Sequence, residues 1–142
     1  MQDYFRLEIE AKSKNEAFAR ATVAAFSLSL SPTLEEIGDI KTATSEAVTN
    51  AVVHAYPNTD GKIEIICIAD DSDNSLTVTV KDFGCGIQDL TAALEPFYTT
   101  RPDDERSGMG FTIIDTFSDE MHVESRVGAG TSVTFKKVFK KC

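Results

Sequence analysis

The chain has 142 residues, of which 42% are hydrophobic and 26% charged, as expected for one globular domain of ordinary size. Its 14 basic residues against 23 acidic residues give a formal net charge of −9, which disfavours direct binding to nucleic acid because such binding needs a basic surface. Three cysteines without CxxC spacing exclude a disulfide framework and a cysteine-rich zinc site, and no apolar run reaches the length of a membrane span. We therefore predict a single domain over residues 1–142 of a cytoplasmic protein, without a signal segment and without membrane contact.

The N-terminal part of the chain predicts a strand followed by two helices. Apolar Phe5, Leu7 and Ile9 alternate with charged residues, which is the pattern of a half-buried strand. A first helix should begin at a capping box formed by Ser13 and Glu16 and run to about residue 30. We expect its inner side to be formed by four apolar residues, Phe18, Ala21, Ala25 and Leu28.

A second helix should follow the break at Ser31 and Pro32. Thr33 and Glu36 have the spacing of a capping box, and the helix should end near Tyr56 because the residue before a proline resists helical angles. Its inner face is predicted to carry Ile37, Ile40, Thr44, Ala47, Val48, Ala51 and Ala55.

The rest of the chain predicts two hairpins separated by two short helices. The predicted strands cover residues 62–69, 76–80, 121–125 and 131–135, and the predicted helices cover residues 90–95 and 110–117. The resulting order, β-α-α-β-β-α-α-β-β, predicts an α+β fold of two layers, in which helices cover one face of a single sheet.

Three polar side chains are aligned on one face of the second predicted helix. Glu46, Asn50 and His54 stand four residues apart and are flanked by alanines and valines of the core type. A carboxylate and an amide one turn apart can act as a general base and as an oxygen ligand for Mg²⁺. The alternative is an exposed polar stripe on an amphipathic helix, and these residues alone favour it. His54 lies at the C-terminus of the helix, where it suits the helix dipole, and we assign it no catalytic role.

Two glycine-rich segments are candidates for ligand binding. Residues 82–87, DFGCGI, end a predicted strand; the two glycines let the backbone approach a ligand, and Asp82 could accept a hydrogen bond from a base amino group. Residues 105–111, ERSGMGF, enter an apolar helix whose first N–H groups can bind an anion, and Arg101 and Arg106 could pair with phosphate oxygens. An ordinary turn is the alternative for the first segment, and a lone Gly-x-Gly is weak support for the second.

The last hairpin adds one further candidate. Residues 128–135, GAGTSVTF, predict a tight glycine turn, after which Thr131 begins a strand and could point toward Asp82 if the two strands are neighbours. His122 lies on an alternating strand and is predicted to be an exposed cross-strand residue. The DFG letters do not indicate a protein kinase of the usual fold, because the chain has no HRD segment and no glycine-rich loop with a downstream lysine strand.

Taken together, the order and spacing of these segments resemble the GHKL superfamily, which includes gyrase, histidine kinases and mismatch-repair ATPases. Within it, SEAVTNAVVHAY, the PFYTT box and ERSGMGF followed by TIIDTF look like the anti-sigma factor serine kinases. The upstream segments NEAFARATVAAF and SPTLEEIGDIKTATSEAVTN resemble in particular those of endospore-forming bacteria. The likeness covers residues 7–135. It implies the Bergerat ATP-binding fold, a two-layer α/β sandwich with a mixed, mostly antiparallel sheet covered by helices on one face.

The resemblance also implies roles for individual residues. Glu46 would be the catalytic base, Asn50 the Mg²⁺ ligand at the nucleotide, and Asp82 the acceptor for the adenine amino group. The other residues implied to bind the nucleotide are Gly84 and Gly86 in the adenine loop, Thr131 beside Asp82, and Thr99, Thr100, Arg106, Ser107, Gly108, Met109 and Gly110 in the lid and phosphate loop. The sequence departs from the expected pattern at Arg101, where we expect a lysine before the proline, and Cys85 occupies a variable position in the adenine loop.

The function implied by the resemblance is that of an anti-sigma factor with kinase activity. Such a protein binds and inhibits a sporulation sigma factor of the sigma-F type, and it uses Mg²⁺ and ATP, releasing ADP, to phosphorylate a STAS-domain anti-anti-sigma factor on serine. The resemblance further implies a homodimer. We also predict that Arg20, opposite the apolar side of the first helix, anchors a protein partner; the alternative is a solvated charge.

Three other functions are compatible with some of these motifs. An anti-sigma kinase of the general stress response would share the fold and the chemistry but not the partners. A histidine-kinase catalytic module needs a phosphoacceptor histidine on a separate helical hairpin, and neither His54 nor His122 lies in one. A binding module that has lost catalysis would have no need of Glu46.

Overall fold

The computed structural model describes residues 2–56, 59–94 and 110–140, and all the elements named below lie within these ranges. The strands are β1 (Gln2–Glu10), β2 (Lys62–Asp70), β3 (Ser75–Asp82), β4 (Glu120–Arg126) and β5 (Gly130–Val138). The helices are α1 (Asn15–Ser27), α2 (Leu34–Asn50), α3 (Leu90–Ala93) and α4 (Gly110–Thr116), with a 3₁₀ turn at Leu28–Leu30 and a π-helical turn at Ala51–Ala55.

The five strands form one sheet in the order β1-β2-β3-β5-β4. Among the described strands every pairing is antiparallel, so the parallel pair that a mixed sheet would need is absent from this part of the chain. The reason lies in the connections. Hairpins join β2 to β3 and β4 to β5, and the two helices between β1 and β2 return the chain antiparallel to β1.

Helix α2 is the centre of the helical layer, since it packs against both α1 and α4 and lies over the sheet. Its buried residues Ile40, Ala47 and Val48 belong to the same apolar cluster as Ile65 and Val78 on the inner faces of β2 and β3. The alternation of buried and partly exposed residues along β2 shows that only one face of the sheet is covered. The predicted α+β two-layer sandwich is therefore confirmed.

The second predicted capping box is confirmed, and it also ties α2 to the end of the chain. The Glu36 N–H donates to Thr33 Oγ1 at 3.1 Å, and the Thr33 N–H donates to Glu36 Oε1 at 2.9 Å. The other carboxylate oxygen of Glu36 accepts the N–H of Lys140 at 2.9 Å. Burial alone would raise the pKa of Glu36, but these hydrogen bonds to its charged form outweigh burial, so its pKa is lowered.

The first predicted capping box is wrong. Helix α1 begins after Lys14, which makes no side-chain capping bond, and Glu16 instead pairs with Arg20 one turn later. The entry to the helix is fixed from another element, because the side-chain amide of Asn15 donates to the carbonyl of Glu10 at 2.8 Å. A tertiary contact with β1 therefore replaces the local cap that the sequence spacing predicted.

The predicted inner side of α1 is also wrong. The buried residues are Ala19, Val23, Ala24 and Ser27, whereas Phe18 is 53% exposed and Leu28 is 58% exposed. Alanines surround this helix, so its apolar periodicity does not distinguish one side from the other. The small residues face inward, which suits close packing of α1 against α2.

Candidate functional site

Glu46 and Asn50 lie one turn apart on α2, and both side chains are partly exposed. Their neighbours Ala47 and Val48 are buried in the core, so the helix is fixed to the sheet while its polar face stays accessible. The sequence prediction that these two side chains share one helix face agrees with this arrangement. A carboxylate and an amide oxygen are therefore presented side by side from a rigid element.

The regular α-helix ends at Asn50, and a π-helical turn at Ala51–Ala55 continues it to Tyr56. Such wide turns are rare and occur frequently at functional sites. Here the turn presents the Ala55 carbonyl to the segment formed by residues 82–87, which we call the glycine loop; this carbonyl accepts the N–H of Cys85 at 3.0 Å. The helix that carries Glu46 and Asn50 is thus joined directly to the second candidate segment.

The glycine loop lies between this turn and the last hairpin. A Cβ atom at Gly84 would overlap the Ala55 carbonyl, so glycine is required for the close approach of the loop to the turn. Gly86 has a φ of +76°, a left-handed conformation that favours glycine. On the other side of the loop, the N–H of Gly128 donates to the Cys85 carbonyl at 2.8 Å, and the N–H of Ile87 donates to Ser125 Oγ at 2.8 Å.

Asp82 ends β3, and its side chain is only 6% exposed. One carboxylate oxygen, Oδ1, accepts the N–H groups of Gly84 and Thr131, each at 3.1 Å. Within the described ranges no group donates to the other oxygen, Oδ2. Burial raises the pKa of Asp82 against the opposing effect of the two hydrogen bonds. Asp82 is therefore a buried acceptor whose Oδ1 holds it in place, while its Oδ2 can accept a further hydrogen bond.

The structure brings Thr131 to Asp82, because β3 and β5 are neighbours in the sheet. The contact, however, uses the main-chain N–H of Thr131. Its hydroxyl lies 2.8 Å from Ser125 Oγ, and Ser125 in turn accepts a hydrogen bond from the glycine loop. Ser125 was not singled out in the sequence, since a serine on an alternating strand carries no signal of such a contact.

Tyr56 is a second residue that sequence reasoning missed. Its hydroxyl donates to the carbonyl of Lys62 and accepts the N–H of Phe83, with both distances 2.7 Å. The sequence predicts for Tyr56 only that a helix ends there. Its position before Pro57 carries no information about these partners, which lie 6 and 27 residues further along the chain.

The remaining predicted residues have varied positions. Arg20 lies on α1 with its side chain 40% exposed and its guanidinium 3.2 Å from Glu16. Gly110 is the buried first residue of α4. His54 lies in the π-helical turn, where its carbonyl accepts the Cys85 thiol at 3.3 Å, and His122 is exposed as predicted and pairs with Glu124. The predicted residues Thr99, Thr100, Arg101, Arg106, Ser107, Gly108 and Met109 lie outside the described residues.

The donor set at Glu46 and Asn50 fits Mg²⁺ of the kind that accompanies a nucleotide. Mg²⁺ prefers oxygen ligands and keeps several waters, so one amide oxygen suffices when phosphate groups supply the others. Residues 2–56, 59–94 and 110–140 hold no cluster of three or more His, Cys, Asp or Glu side chains suited to a metal. None of the helices in these ranges has both the length and the apolar character that crossing a membrane would require.

Comparisons with known proteins identify the family of the chain. A family model described as a histidine kinase-like ATPase domain matches residues 9–137. The chain is 50% identical over 139 residues to an anti-sigma F factor of Clostridium acetobutylicum, covering 98% of this chain and 96% of that protein. It is 54% identical over 131 residues to an anti-sigma F factor of Caldanaerobacter subterraneus subsp. tengcongensis, covering 92% and 90% of the two chains.

Solved structures share the fold. The RsbU and RsbW domains of Rv1364c from Mycobacterium tuberculosis superpose with a TM-score of 0.71 at 19% identity, over 99% of this chain and 33% of that one. Full-length ShkA in complex with AMPPNP superposes with a TM-score of 0.62 at 18% identity, over 92% of this chain and 30% of that one. At this identity the likeness concerns the fold alone. From the family model and the full-length relatives, the chain belongs to the histidine kinase-like ATPase family and, within it, to the anti-sigma F factors.

Proposed function

We propose that the chain sequesters a sporulation sigma factor of the sigma-F type and phosphorylates a STAS-domain anti-anti-sigma factor on serine, using ATP. The observation that carries the enzymatic part is the direct junction between the two halves of the site. Helix α2 bears Glu46 and Asn50, and the turn at its end binds the glycine loop that follows Asp82. The full-length similarity to anti-sigma F factors supports the regulatory part.

Asp82 is suited to recognise adenine. Its Oδ1 is occupied by main-chain N–H groups, which leaves Oδ2 as the acceptor for the exocyclic amino group of the base. A guanine or hypoxanthine base presents a carbonyl oxygen at the same position, and a carbonyl oxygen cannot donate a hydrogen bond to a carboxylate. Gly84 lies close to the Ala55 carbonyl and Gly86 to the Arg126 carbonyl, and in this proposal the loop that they form lines the base. The pocket should therefore prefer ATP over nucleotides that lack this amino group.

Asn50 is the residue that would hold Mg²⁺ through its amide oxygen. When bound, the ion would neutralise part of the phosphate charge and orient the phosphates. Glu46 lies one turn before Asn50 on the same helix face, so with Mg²⁺ at Asn50 its carboxylate would lie near the phosphates. We propose the lid residues Thr99, Thr100, Arg106, Ser107, Gly108, Met109 and Gly110 as the remaining phosphate contacts.

Glu46 would act as the general base in the transfer. The hydroxyl oxygen of the acceptor serine forms a bond to the γ-phosphorus while the bond from that phosphorus to the β–γ bridging oxygen breaks. The serine proton passes to the Glu46 carboxylate, and ADP leaves with the bridging oxygen. The rate depends mainly on holding the reactants in line and on balancing charge, as in other phosphoryl transfers.

A protein partner would be held outside the nucleotide site, and Arg20 is our candidate anchor. Its guanidinium pairs with Glu16 on the surface of α1, and a surface pair of this kind contributes little to stability. A partner carboxylate can therefore replace Glu16 at small cost, and arginine is common among the residues that dominate interface energies.

We also propose that the chain forms a homodimer. The exposed Phe18 on α1 and the exposed Leu28 in the 3₁₀ turn after it form apolar surface that the described residues leave uncovered. Sedimentation equilibrium at micromolar concentration should give twice the chain mass of 15.5 kDa. A mass equal to that of one chain would contradict the dimer without affecting the kinase proposal.

The direct test of the proposed function uses two assays on one preparation. Labelled γ-phosphate from Mg²⁺ and ATP should appear on the STAS-domain partner, and acid hydrolysis should recover the label as phosphoserine. The sigma factor should co-elute with the chain on a sizing column and fail to activate transcription. Nucleotide binding without phosphate transfer would replace the kinase with a nucleotide-dependent binding module. Label on the chain itself that is stable to base but labile to acid would indicate a histidine-kinase module.

A further inference from the structure

A single hydroxyl joins three elements beside Asp82. The paired region of β2 and β3 ends at Ile63 and Asp82, and the next residues across the two strands are Lys62 and Phe83. The hydroxyl of Tyr56 lies between them, donating to the Lys62 carbonyl and accepting the Phe83 N–H. It therefore occupies the place where a further main-chain hydrogen bond would continue the ladder between the strands.

The position of this hydroxyl determines how far apart the two strand ends lie. Without it, the Phe83 N–H either loses its partner or closes directly onto the Lys62 carbonyl, which would lengthen the paired region by one step. Either change displaces Phe83, which is adjacent to Asp82. Because Gly84 donates to Asp82 and Cys85 donates to the Ala55 carbonyl, the displacement would spread into the glycine loop.

The ring of Tyr56 is fixed by a close approach to the backbone. A Cβ atom at Gly61 would overlap the ring near its hydroxyl end, so only glycine at this position leaves the ring where it lies. The π-helical turn at Ala51–Ala55 immediately precedes Tyr56 and sets the direction from which the ring arrives. The hydroxyl thus has a defined position relative to α2, β2 and β3 together.

We propose that Tyr56 is a positioning residue for the adenine-recognising carboxylate of Asp82, and that it acts through its hydroxyl and not through the ring alone. This inference rests on the proposed function, in which Asp82 accepts the adenine amino group. It assigns to Tyr56 a share of the selectivity for the base. Loss of the hydroxyl should weaken the contact that distinguishes ATP from ITP, whose base carries an oxygen in place of the amino group.

The test compares Tyr56→Phe with Tyr4→Phe, because both remove one tyrosine hydroxyl and Tyr4 is 71% exposed on the edge strand β1. Equilibrium binding of ATP and of ITP is measured for each protein, together with its melting temperature. Tyr56→Phe should bind ATP about 3- to 10-fold more weakly and change ITP binding by less than about 2-fold, so that the preference for ATP falls. Tyr4→Phe should leave both affinities unchanged.

Gly61→Ala gives an independent variant that keeps the hydroxyl but displaces the ring. Gly61→Ala should lower the preference for ATP over ITP in the same way. Because both changes remove the same contact, that of the Tyr56 hydroxyl, the double variant with Tyr56→Phe should lose no more of this preference than the stronger single variant. Effects that multiply would contradict a shared mechanism.

Three outcomes would overturn the inference, and they distinguish its failure from the failure of the proposed function. A normal preference for ATP in Tyr56→Phe, or an equal loss of ATP and ITP binding, would show that Tyr56 has no role or only a structural one, while leaving the proposed function intact. A wild-type chain that binds ATP no better than ITP would remove the proposed adenine contact itself, and the inference with it.

Discussion

The Asp82 carboxylate accepts a hydrogen bond from the main-chain N–H of Thr131, at 3.1 Å and 49 residues along the chain. This bond connects the end of β3 to the start of β5 and fixes the orientation of a buried acid at the edge of the glycine loop. It also shows why a residue can be adjacent to a site without its side chain taking part, since the Thr131 hydroxyl is directed to Ser125.

Asp82→Asn should separate nucleotide binding from stability. The amide can keep the two main-chain hydrogen bonds through its oxygen, but it places an NH₂ group against the adenine amino group, so ATP affinity should fall by about 10- to 100-fold. The raised pKa of Asp82 means that its charged form costs stability at neutral pH, and that this cost is relieved as the pH falls through the folded-state pKa.

In the absence of nucleotide, Asp82→Asn should therefore be as stable as the wild type at pH 7, or more stable. Its advantage should shrink in acid. Thermal melting across pH 3 to 7, with isothermal titration of ATP at pH 7, measures both effects. A strongly destabilised variant would show that Asp82 is retained for folding and not for ligand recognition.

Glu36→Gln should destabilise the chain in a pH-dependent manner. The glutamine cannot accept the Lys140 N–H and hold the Thr33 cap equally well, so we expect a loss of about 1–2 kcal/mol in the free energy of unfolding at pH 7. Because the folded-state pKa of Glu36 is lowered, its stabilisation is present above the ordinary value of 4.5 and is lost as the pH falls through the folded pKa.

Urea unfolding at neutral and acidic pH gives the comparison. The difference between wild type and Glu36→Gln should close in acid, while Glu35→Gln, a change at the exposed neighbouring carboxylate, should have little effect at either pH. A difference that persists unchanged in acid would mean that the charge of Glu36 is not responsible.

Thiol labelling should locate the nucleotide. Burial raises the pKa of the Cys67 thiol to about 12, so Cys67 should not react at neutral pH, whereas Cys85 is exposed in the glycine loop. In a Cys142→Ser background, we expect one fast-reacting thiol in the native protein, and saturating ATP should slow its labelling severalfold. Labelling of Cys85 that is indifferent to ATP would place the nucleotide elsewhere.

Arg20→Glu should weaken sigma-factor binding by about 10- to 100-fold if Arg20 is an interface anchor. Lys14→Glu makes the same charge change beside the start of α1 and is the matched control. Surface plasmon resonance on immobilised sigma factor gives both affinities, and ATP binding in solution should be unchanged in both variants. Equal losses in the two variants would indicate a general charge effect instead of a local contact.

The parts of the fold that could be predicted from sequence are those governed by local rules. Thr33 and Glu36 cap α2 as their spacing indicates, and the alternation of Phe5, Leu7 and Ile9 with charged residues correctly gives the more buried face of β1. Ser13 and Glu16 have the same spacing and form no cap, because Asn15 binds the Glu10 carbonyl and Glu16 pairs with Arg20. A local pattern is overridden wherever a neighbouring element offers a competing partner.

In the candidate site, too, some features follow from local sequence rules and others depend on contacts between distant segments. The shared helix face of Glu46 and Asn50 follows from helical periodicity, and the turn after Asp82 follows from its glycines. The contribution of Tyr56 depends on Lys62 and Phe83 meeting across two strands, which no local pattern reveals. For α1, alanines on every side removed the periodicity on which the choice of buried face depends, and that choice was wrong.

The most direct test of the central claim is the rate of phosphate transfer to the STAS-domain partner by Glu46→Gln under saturating ATP, with Glu35→Gln on the same helix as the control. If Glu46 is the general base, its variant should transfer phosphate about 10²- to 10⁴-fold more slowly and bind ATP normally, and the control should match the wild type. Wild-type transfer by Glu46→Gln would contradict the mechanism proposed for this site.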